Sequence, residues 1–287
     1  LGHKRITDVH LGDLVEKEVA VLFTDIRDYT RLSEGMSPED NFRFVSAYNA
    51  RLGPIVQKHG GFVNQYLGDA IMAIFPESTA EAVSAAVEME QVLADYNRRR
   101  KGKGRQAIRT GTGIHTGSLI MGILGDDKRL DAATISDTVN TSARIEELTK
   151  HFGAGILLSL TSYLKSGMAD KNGADQLSIP GTDVPLPSSG FRYLGQVLVK
   201  GKKEPIGLME CLAGEEDEVK IKESTLASFH RALLHYLEGD FAKAITLFRE
   251  VIEQDPEDKA ARLFLDRSAK FVTSGVPKDW SGVEKAY

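Results

Sequence analysis

Tyr66-Leu-Gly-Asp-Ala-Ile-Met-Ala-Ile-Phe75 places an aspartate, Asp69, in a Gly-Asp turn immediately ahead of an unbroken apolar run. Short apolar runs bounded by turn residues read as buried strands, so residues 62–65 and 71–75 are expected to form a hairpin around Gly68-Asp69, ended by Pro76. Val21-Leu-Phe-Thr-Asp-Ile-Arg27 repeats the arrangement, with Asp25 at the end of an apolar run over residues 18–24. Strands fix backbone direction, so a carboxylate just past one strand can meet a carboxylate in the turn of another. Two such acids offer divalent cations hard oxygen ligands and give a nucleotide triphosphate a place to dock. Acids at strand ends are also ordinary turn residues, so the pair alone does not decide.

The surrounding elements fix the fold class. Ser37-Pro-Glu-Asp40 opens a helix, with Ser capping, Pro in the first turn and acids at the positive end. It should run to about His59, where Gly60-Gly61 stops it. Ser78 or Thr79 caps a second helix whose apolar face is Ala82, Val83, Ala86, Val87, Met89 and Leu93. Residues 108–114 and 119–124 alternate well enough to predict another hairpin, and Ser136 or Asp137 opens a third helix. The resulting β-α-β-β-α-β order is ferredoxin-like and α+β, not the strict alternation of a doubly wound sheet. Residues 170–190, rich in Gly, Pro, Ser and Asp, read as a mobile loop; strands return at 191–199 and 205–212.

Asn140 and Arg144 decide the reading of the acids. In Ser136-Asp-Thr-Val-Asn-Thr-Ser-Ala-Arg-Ile-Glu146 they stand four apart, so a helix projects both from one face. With both acids and this pair in place, the chain resembles the catalytic domain of class III nucleotidyl cyclases over residues 19–212. Leu22-Phe-Thr-Asp-Ile-Arg-Asp-Tyr-Thr30, Leu67-Gly-Asp-Ala-Ile-Met-Ala-Ile-Phe75, Gly113-Ile-His-Thr-Gly117, Asp137-Thr-Val-Asn-Thr-Ser-Ala-Arg144 and Val199-Lys-Gly-Lys202 occur in family order. One such string is weak, and five in order are specific.

The resemblance implies a palm-like α+β cyclase domain with extra C-terminal strands. It implies a reaction in which the ribose 3′-oxygen attacks the α-phosphorus while pyrophosphate leaves. Asp25 and Asp69 would hold two Mg²⁺ or Mn²⁺ ions, with the Ile26 carbonyl as a further ligand. Asn140 would orient the ribose, Arg144 would stabilise charge at the α-phosphate with its planar fork, and Lys200 would meet the triphosphate. Base recognition departs from the family pattern. Four residues before the second metal aspartate the family places Lys for adenine or Glu for guanine, and here Gln65 stands. The partner position aligns with Ala133, beside Thr134. Glutamine both donates and accepts, so it can pair with either purine. ATP is favoured on family frequency, with GTP or both nucleotides as the alternative. A further alternative is a nucleotide-binding or interaction module that has lost catalysis.

In the family one subunit supplies the metal aspartates and the other supplies the base-contacting side, Asn140, Arg144 and Lys200. A chain carrying the full set is expected to form a homodimer with two shared sites and to be inactive as a monomer. His115, between Gly113 and Gly117, reads as a structural strand-end residue rather than a base.

Beyond a polar break at residues 214–218 the pattern is helical. Tyr236-Leu-Glu-Gly-Asp-Phe-Ala-Lys-Ala-Ile-Thr-Leu-Phe248 followed by Pro256 resembles one tetratricopeptide repeat. A single repeat cannot bury both faces, so it must pack on the cyclase domain, pair with another chain or belong to a longer array; a protein partner is one expectation. The organisation read here is a lead-in at 1–18, the cyclase domain at 19–213 and the helical tail at 223–287.

Composition sets the outer limits. The chain has 287 residues, 41% apolar and 27% charged, ordinary for a globular protein with a real core. A formal charge of −5 argues against a nucleic-acid surface. The basic run Arg98-Arg-Arg-Lys-Gly-Lys-Gly-Arg105 reads as a solvated loop after a helix. No window approaches a membrane span, so no membrane contact is expected of this segment. The single Cys211 excludes an internal disulfide and reads as a buried small hydrophobe, in keeping with a reducing cytoplasm. The first residue is Leu1 rather than Met, which suggests the cytoplasmic part of a larger, membrane-bound sensor as the alternative setting.

Overall fold

The computed structural model describes residues 14–126, 129–169, 177–278 and 280–286. In chain order the elements are β1 (Leu14–Ile26), α1 (Tyr29–Ser33), α2 (Pro38–Lys58), β2 (Phe62–Leu67), β3 (Ala70–Phe75), α3 (Thr79–Lys101), β4 (Thr110–Asp126) and β5 (Arg129–Ile135). There follow α4 (Asp137–Phe152), β6 (Ile156–Ser159), α5 (Leu160–Ser166), β7 (Phe191–Val199), β8 (Ile206–Cys211), α6 (Glu216–Leu237), α7 (Phe241–Gln254), α8 (Lys259–Ser274) and β9 (Val283–Ala286). One sheet runs β2-β3-β1-β4-β6-β8-β7-β9, with β5 attached to β4. Its first four strands pair antiparallel, in the ferredoxin-like order expected from β-α-β-β-α-β. The architecture is therefore α+β, with added C-terminal strands and helices.

Local chemistry explains the boundaries. The Ser37 hydroxyl accepts from the Asp40 N–H at 3.1 Å with Pro38 opening α2, and Ser78 accepts from Glu81 N–H at 3.2 Å to cap α3. Ser136, rather than Asp137, caps α4, accepting from Thr138 N–H at 2.9 Å. Along β1 the side chains alternate between faces. Ala20 and Leu22 enter the main core with Leu52 and Val56 of α2 and Ala82 and Met89 of α3. Val19 and Val21 join Ile74 and Leu119 in a smaller cluster against Val139.

Three expectations for the catalytic domain are corrected, and a fourth for the tail. Residues 108–114 and 119–124 are not two arms of a hairpin: β4 is one long strand, paired with β1 from Thr110 through Gly122. Its glycines read as turn residues but serve helix approach. A Cβ on Gly113 would lie 2.2 Å from Glu146 N and 2.6 Å from Ser142 O, and one on Gly117 would lie 2.7 Å from Thr138 Oγ1. Bare backbone lets α4 lie directly on the strand, where Ser142 Oγ donates to Val21 O at 2.7 Å. The described part of the expected mobile loop is packed, because Ile179 and Leu186 are buried and Ile179 N–H donates to Val184 O at 2.8 Å. The stretch 170–176 lies outside the described residues. Finally, Arg98 to Lys101 belong to the last turn of α3, and Arg100 is buried, donating from Nε to Gln106 O at 2.7 Å.

The tail joins the sheet. Helix α6 begins inside the polar stretch, where Glu216, Asp217 and Glu218 occupy its first turn and suit the positive helix end. The tail is not wholly helical: β9 pairs parallel with β7, from Gln196↔Val283 to Val199↔Ala286, because β7 would otherwise be an open edge. Arg192 of β7, fully buried, donates to Glu210 of β8 at 2.8 Å and bridges to Asp258 at the start of α8. Phe248 packs against Phe229 and Phe264 at 5.6 Å from each. No helix among the described residues is long and apolar enough to cross a membrane.

Candidate active site

The sheet register brings the two acids together. Thr24 pairs with Ile71 across β1 and β3, so Asp25 and Asp69 project from adjacent strand ends, within hydrogen-bond reach of each other. Burial, followed by the neighbouring Asp25 carboxyl, pushes Asp69 up to about 7. Ile26 N–H donates to Asp25 Oδ1 at 2.8 Å and fixes that side chain. Like charges this close are stable only with a shared proton or a cation between them, and a two-carboxylate set suits a cation that takes its other oxygens from backbone, water and phosphate. The donor set therefore fits Mg²⁺ or Mn²⁺. Among the described residues no group of three or more His, Cys, Asp or Glu could hold a metal.

Asn140 and Arg144 lie on the exposed face of α4 and line a groove of about 280 Å³ with Thr141, Lys200 and Lys202. Lys200 follows β7 directly, and Lys202 pairs with Asp137 at the start of α4, tying the two sides of the groove. Arg144 is held by Glu147 at 2.8 Å, an exposed pair that a phosphate can replace at little cost. Asp25 and Asp69 do not line this groove. Gln65 is exposed on the edge strand β2, whereas Thr134 lies on β5; β3, β1 and β4 stand between their strands. Ala133 pairs with Gly122, and its side chain lies outside the described residues.

Two neighbours of the acids were not singled out from sequence. Burial, then the Asp25 charge, pushes Glu146 up to about 7, and its place two residues after Arg144 was the available signal. Tyr48 of α2 is buried close to Thr24, and burial together with the charges of Asp25 and Asp69 raises its phenol. His115 is structural as expected: its Nδ1 is 2.8 Å from Ser159 Oγ, and burial holds the ring neutral, with its pKa lowered to about 4. Cys211 is a buried thiol, pushed up to about 12 by burial.

The model of the adenylate and guanylate cyclase catalytic domain matches residues 15–206. The chain belongs to this family. Among curated relatives of this cyclase chain, the terminal-differentiation specific adenylate cyclase of Dictyostelium discoideum is 31% identical over 266 residues, covering 91% of the chain and 12% of the relative. The adenylate cyclase of Anabaena cylindrica is 37% identical over 214 residues, covering 72% of the chain and 39% of the relative. The cyclase chain thus spans well under half the length of either. Of solved structures, the guanylyl cyclase Cya2 superposes with a TM-score of 0.54 at 26% identity, covering 72% of this chain and 96% of that one. The adenylyl cyclase CyaB from P. aeruginosa reaches 0.57 at 24% identity, covering 71% and 98%, a likeness of fold.

Proposed function

We propose that the chain is an adenylate cyclase, converting ATP to 3′,5′-cyclic AMP and pyrophosphate at the interface of a homodimer. The observation that carries this reading is the contact between Asp25 and Asp69, apart from a groove that holds Asn140, Arg144 and Lys200. Two incomplete half-sites on one chain become two complete ones when a second copy faces the first. Phe42 on α2 and Phe62, Tyr66 and Leu67 on β2 are exposed, an apolar surface suited to a partner copy. The names of the Dictyostelium and Anabaena relatives favour ATP, and the likeness to Cya2 keeps GTP as the second reading.

In this reading Asp25, Asp69 and the Ile26 carbonyl hold two divalent cations, which when bound neutralise the triphosphate and acidify the ribose 3′-hydroxyl. Arg144 grips the α-phosphate oxygens as charge develops, Asn140 fixes the ribose so that the 3′-oxygen lies in line, and Lys200 meets the leaving pyrophosphate. Gln65, Ala133 and Thr134 contact the base; a glutamine satisfies either purine edge, so discrimination is weak. The division into a lead-in at 1–18, a catalytic domain at 19–213 and a tail at 223–287, a tetratricopeptide-like partner role for that tail, and a cytoplasmic location belong to the same proposal. Initial rates with ATP and GTP in Mn²⁺, repeated for Gln65→Lys and Gln65→Glu, test it. Gln65→Lys should favour ATP and Gln65→Glu GTP. Formation of neither cyclic nucleotide nor pyrophosphate by the purified dimer overturns the enzymatic reading.

A further inference from the structure

A cavity of about 650 Å³ lies apart from the groove of Asn140 and Arg144. It lies where the end of β1, the C-terminal turn of α3, the start of β4 and the first turns of α6 converge, so its walls come from both the catalytic sheet and the tail. That volume is within the roughly 300–1,000 Å³ that encloses a small organic ligand.

Its charges are unbalanced in a particular way. The walls carry Arg98 and Lys222, already paired with Glu215 and Glu210. Lys101, Arg105 and Arg109, all exposed at the mouth, form no ion pair among the described residues, and Arg27 stands deeper, donating from Nε to Thr110 O at 3.0 Å. Against these four cations, Glu90 and Glu218 are the lining carboxylates that form no ion pair among the described residues. Glu90 is largely buried and accepts one hydrogen bond, from Thr110 Oγ1 at 2.7 Å, which leaves carboxyl capacity for a donor inside the cavity. Two surplus positive charges at the mouth and an acceptor within call for a dianion that also carries hydroxyl groups.

We propose that this cavity is a binding site for a small phosphomonoester, its phosphate on Lys101, Arg105 and Arg109 and its hydroxyls on Glu90, and that occupancy is read by the catalytic acids through Arg27. Arg27 follows Asp25 by two residues. Its charge acts on both Glu90 in the cavity and Glu146, which in turn lies in the field of Asp25 and Asp69. Thr110 completes the link: it donates to Glu90, accepts from Arg27 and pairs with Ile26 across β1 and β4. A dianion at the cavity mouth draws on the Arg27 charge and shifts the cation requirement of the acids at the other end.

Binding is measured on the full chain by calorimetry and thermal unfolding with ribose 5-phosphate and sn-glycerol 3-phosphate, with inorganic phosphate and ribose as separate arms. The site predicts that at least one phosphomonoester raises Tm by about 2–4 °C at saturation. It predicts that Arg105→Glu with Arg109→Glu weakens this binding at least about tenfold, that Glu90→Gln weakens it less, and that Asp25→Asn retains it to within about threefold. Absence of binding by both phosphomonoesters, binding that survives the double charge reversal, or binding lost in Asp25→Asn overturns the site. Inorganic phosphate binding as tightly as the esters overturns the role of Glu90. The regulatory half rests on the cyclase reading and is scored separately, as a shift of about threefold or more in the Mn²⁺ concentration for half-maximal rate, absent in the double variant; an unchanged value in an active enzyme that binds the ester refutes the coupling alone.

Discussion

Arg192→Ala should cut the tail loose from the catalytic sheet. The guanidinium is fully buried, reaches Glu210 Oε2 at 2.8 Å from Nε, bridges Asp258 and stacks 4.2 Å over the Phe229 ring. Its removal leaves two buried carboxylates whose remaining ion-pair partner among the described residues is Lys222, which pairs with Glu210. Breaking one buried pair costs about 3–5 kcal/mol, and here a second carboxylate and an aromatic contact are lost as well, so about 5 kcal/mol is expected. For a chain of this size that corresponds to a fall in Tm of about 10–20 °C. Arg192→Lys keeps the charge but not the fork and should lose about half as much. Burial alone would raise Glu210 and Asp258, yet Arg192 outweighs it and holds both below their usual values. Their stabilisation is therefore present at neutral pH and lost in acid, as pH falls through their depressed pKa values. Calorimetric unfolding of the three proteins at pH 7 checks the magnitude. A loss below about 1 kcal/mol for Arg192→Ala would refute the claim that this cluster joins the two parts.

Gly113→Ala puts a methyl group 2.2 Å from Glu146 N, so α4 must move; a loss of about 3 kcal/mol by denaturant melts and of about a hundredfold in turnover is expected, since α4 carries Asn140 and Arg144. His230 accepts from Tyr193 N–H at 3.1 Å, and burial, aided by the Arg192 charge, lowers it to about 3. It stays neutral when folded while the unfolded chain gains a proton below about pH 6.5, so stability falls with pH by about 1.4 kcal/mol per unit from this group. Comparison of wild type with His230→Gln at pH 7 and pH 5 should show a shallower loss in the variant, with the contributions of His115 and His151 common to both. Lys200→Ala should raise the KM for ATP about tenfold or more in steady-state kinetics, because a phosphate loses a groove-lining cation that forms no ion pair among the described residues.

The parts of the fold legible in the sequence are those set by local chemistry. Ser37-Pro38 and Ser78 cap helices wherever they occur in such a context, and the Gly68-Asp69 turn between apolar runs specifies its own hairpin. Asp25, Asp69, Asn140 and Arg144 stood out as candidates because each stands at a fixed offset within one strand end, turn or helix face. What was missed depends on partners distant in the chain. Gly113 and Gly117 looked like turn glycines because the helix that needs their bare backbone begins some twenty residues later, at Asp137. Strand β9, Val283-Glu-Lys-Ala286, is four residues with two charges and no apolar run, and it becomes a strand because β7 offers an open edge. Arg192 lies in a strand that reads as simply apolar, and its two acids are contributed by β8 and the start of α8. Glu146 escaped notice because its proximity to Asp25 arises from how α4 lies on β1 and β4.

The most direct test of shared sites mixes two inactive variants. Asp25→Asn with Asp69→Asn removes one half-site, Asn140→Ala with Arg144→Ala removes the other, and equal amounts are allowed to exchange subunits. If each site draws on both protomers, half of the dimers regain one intact site, and cyclic AMP formation returns to about a quarter of the wild-type rate. A mixture that exchanges subunits yet stays as inactive as either variant alone contradicts the account.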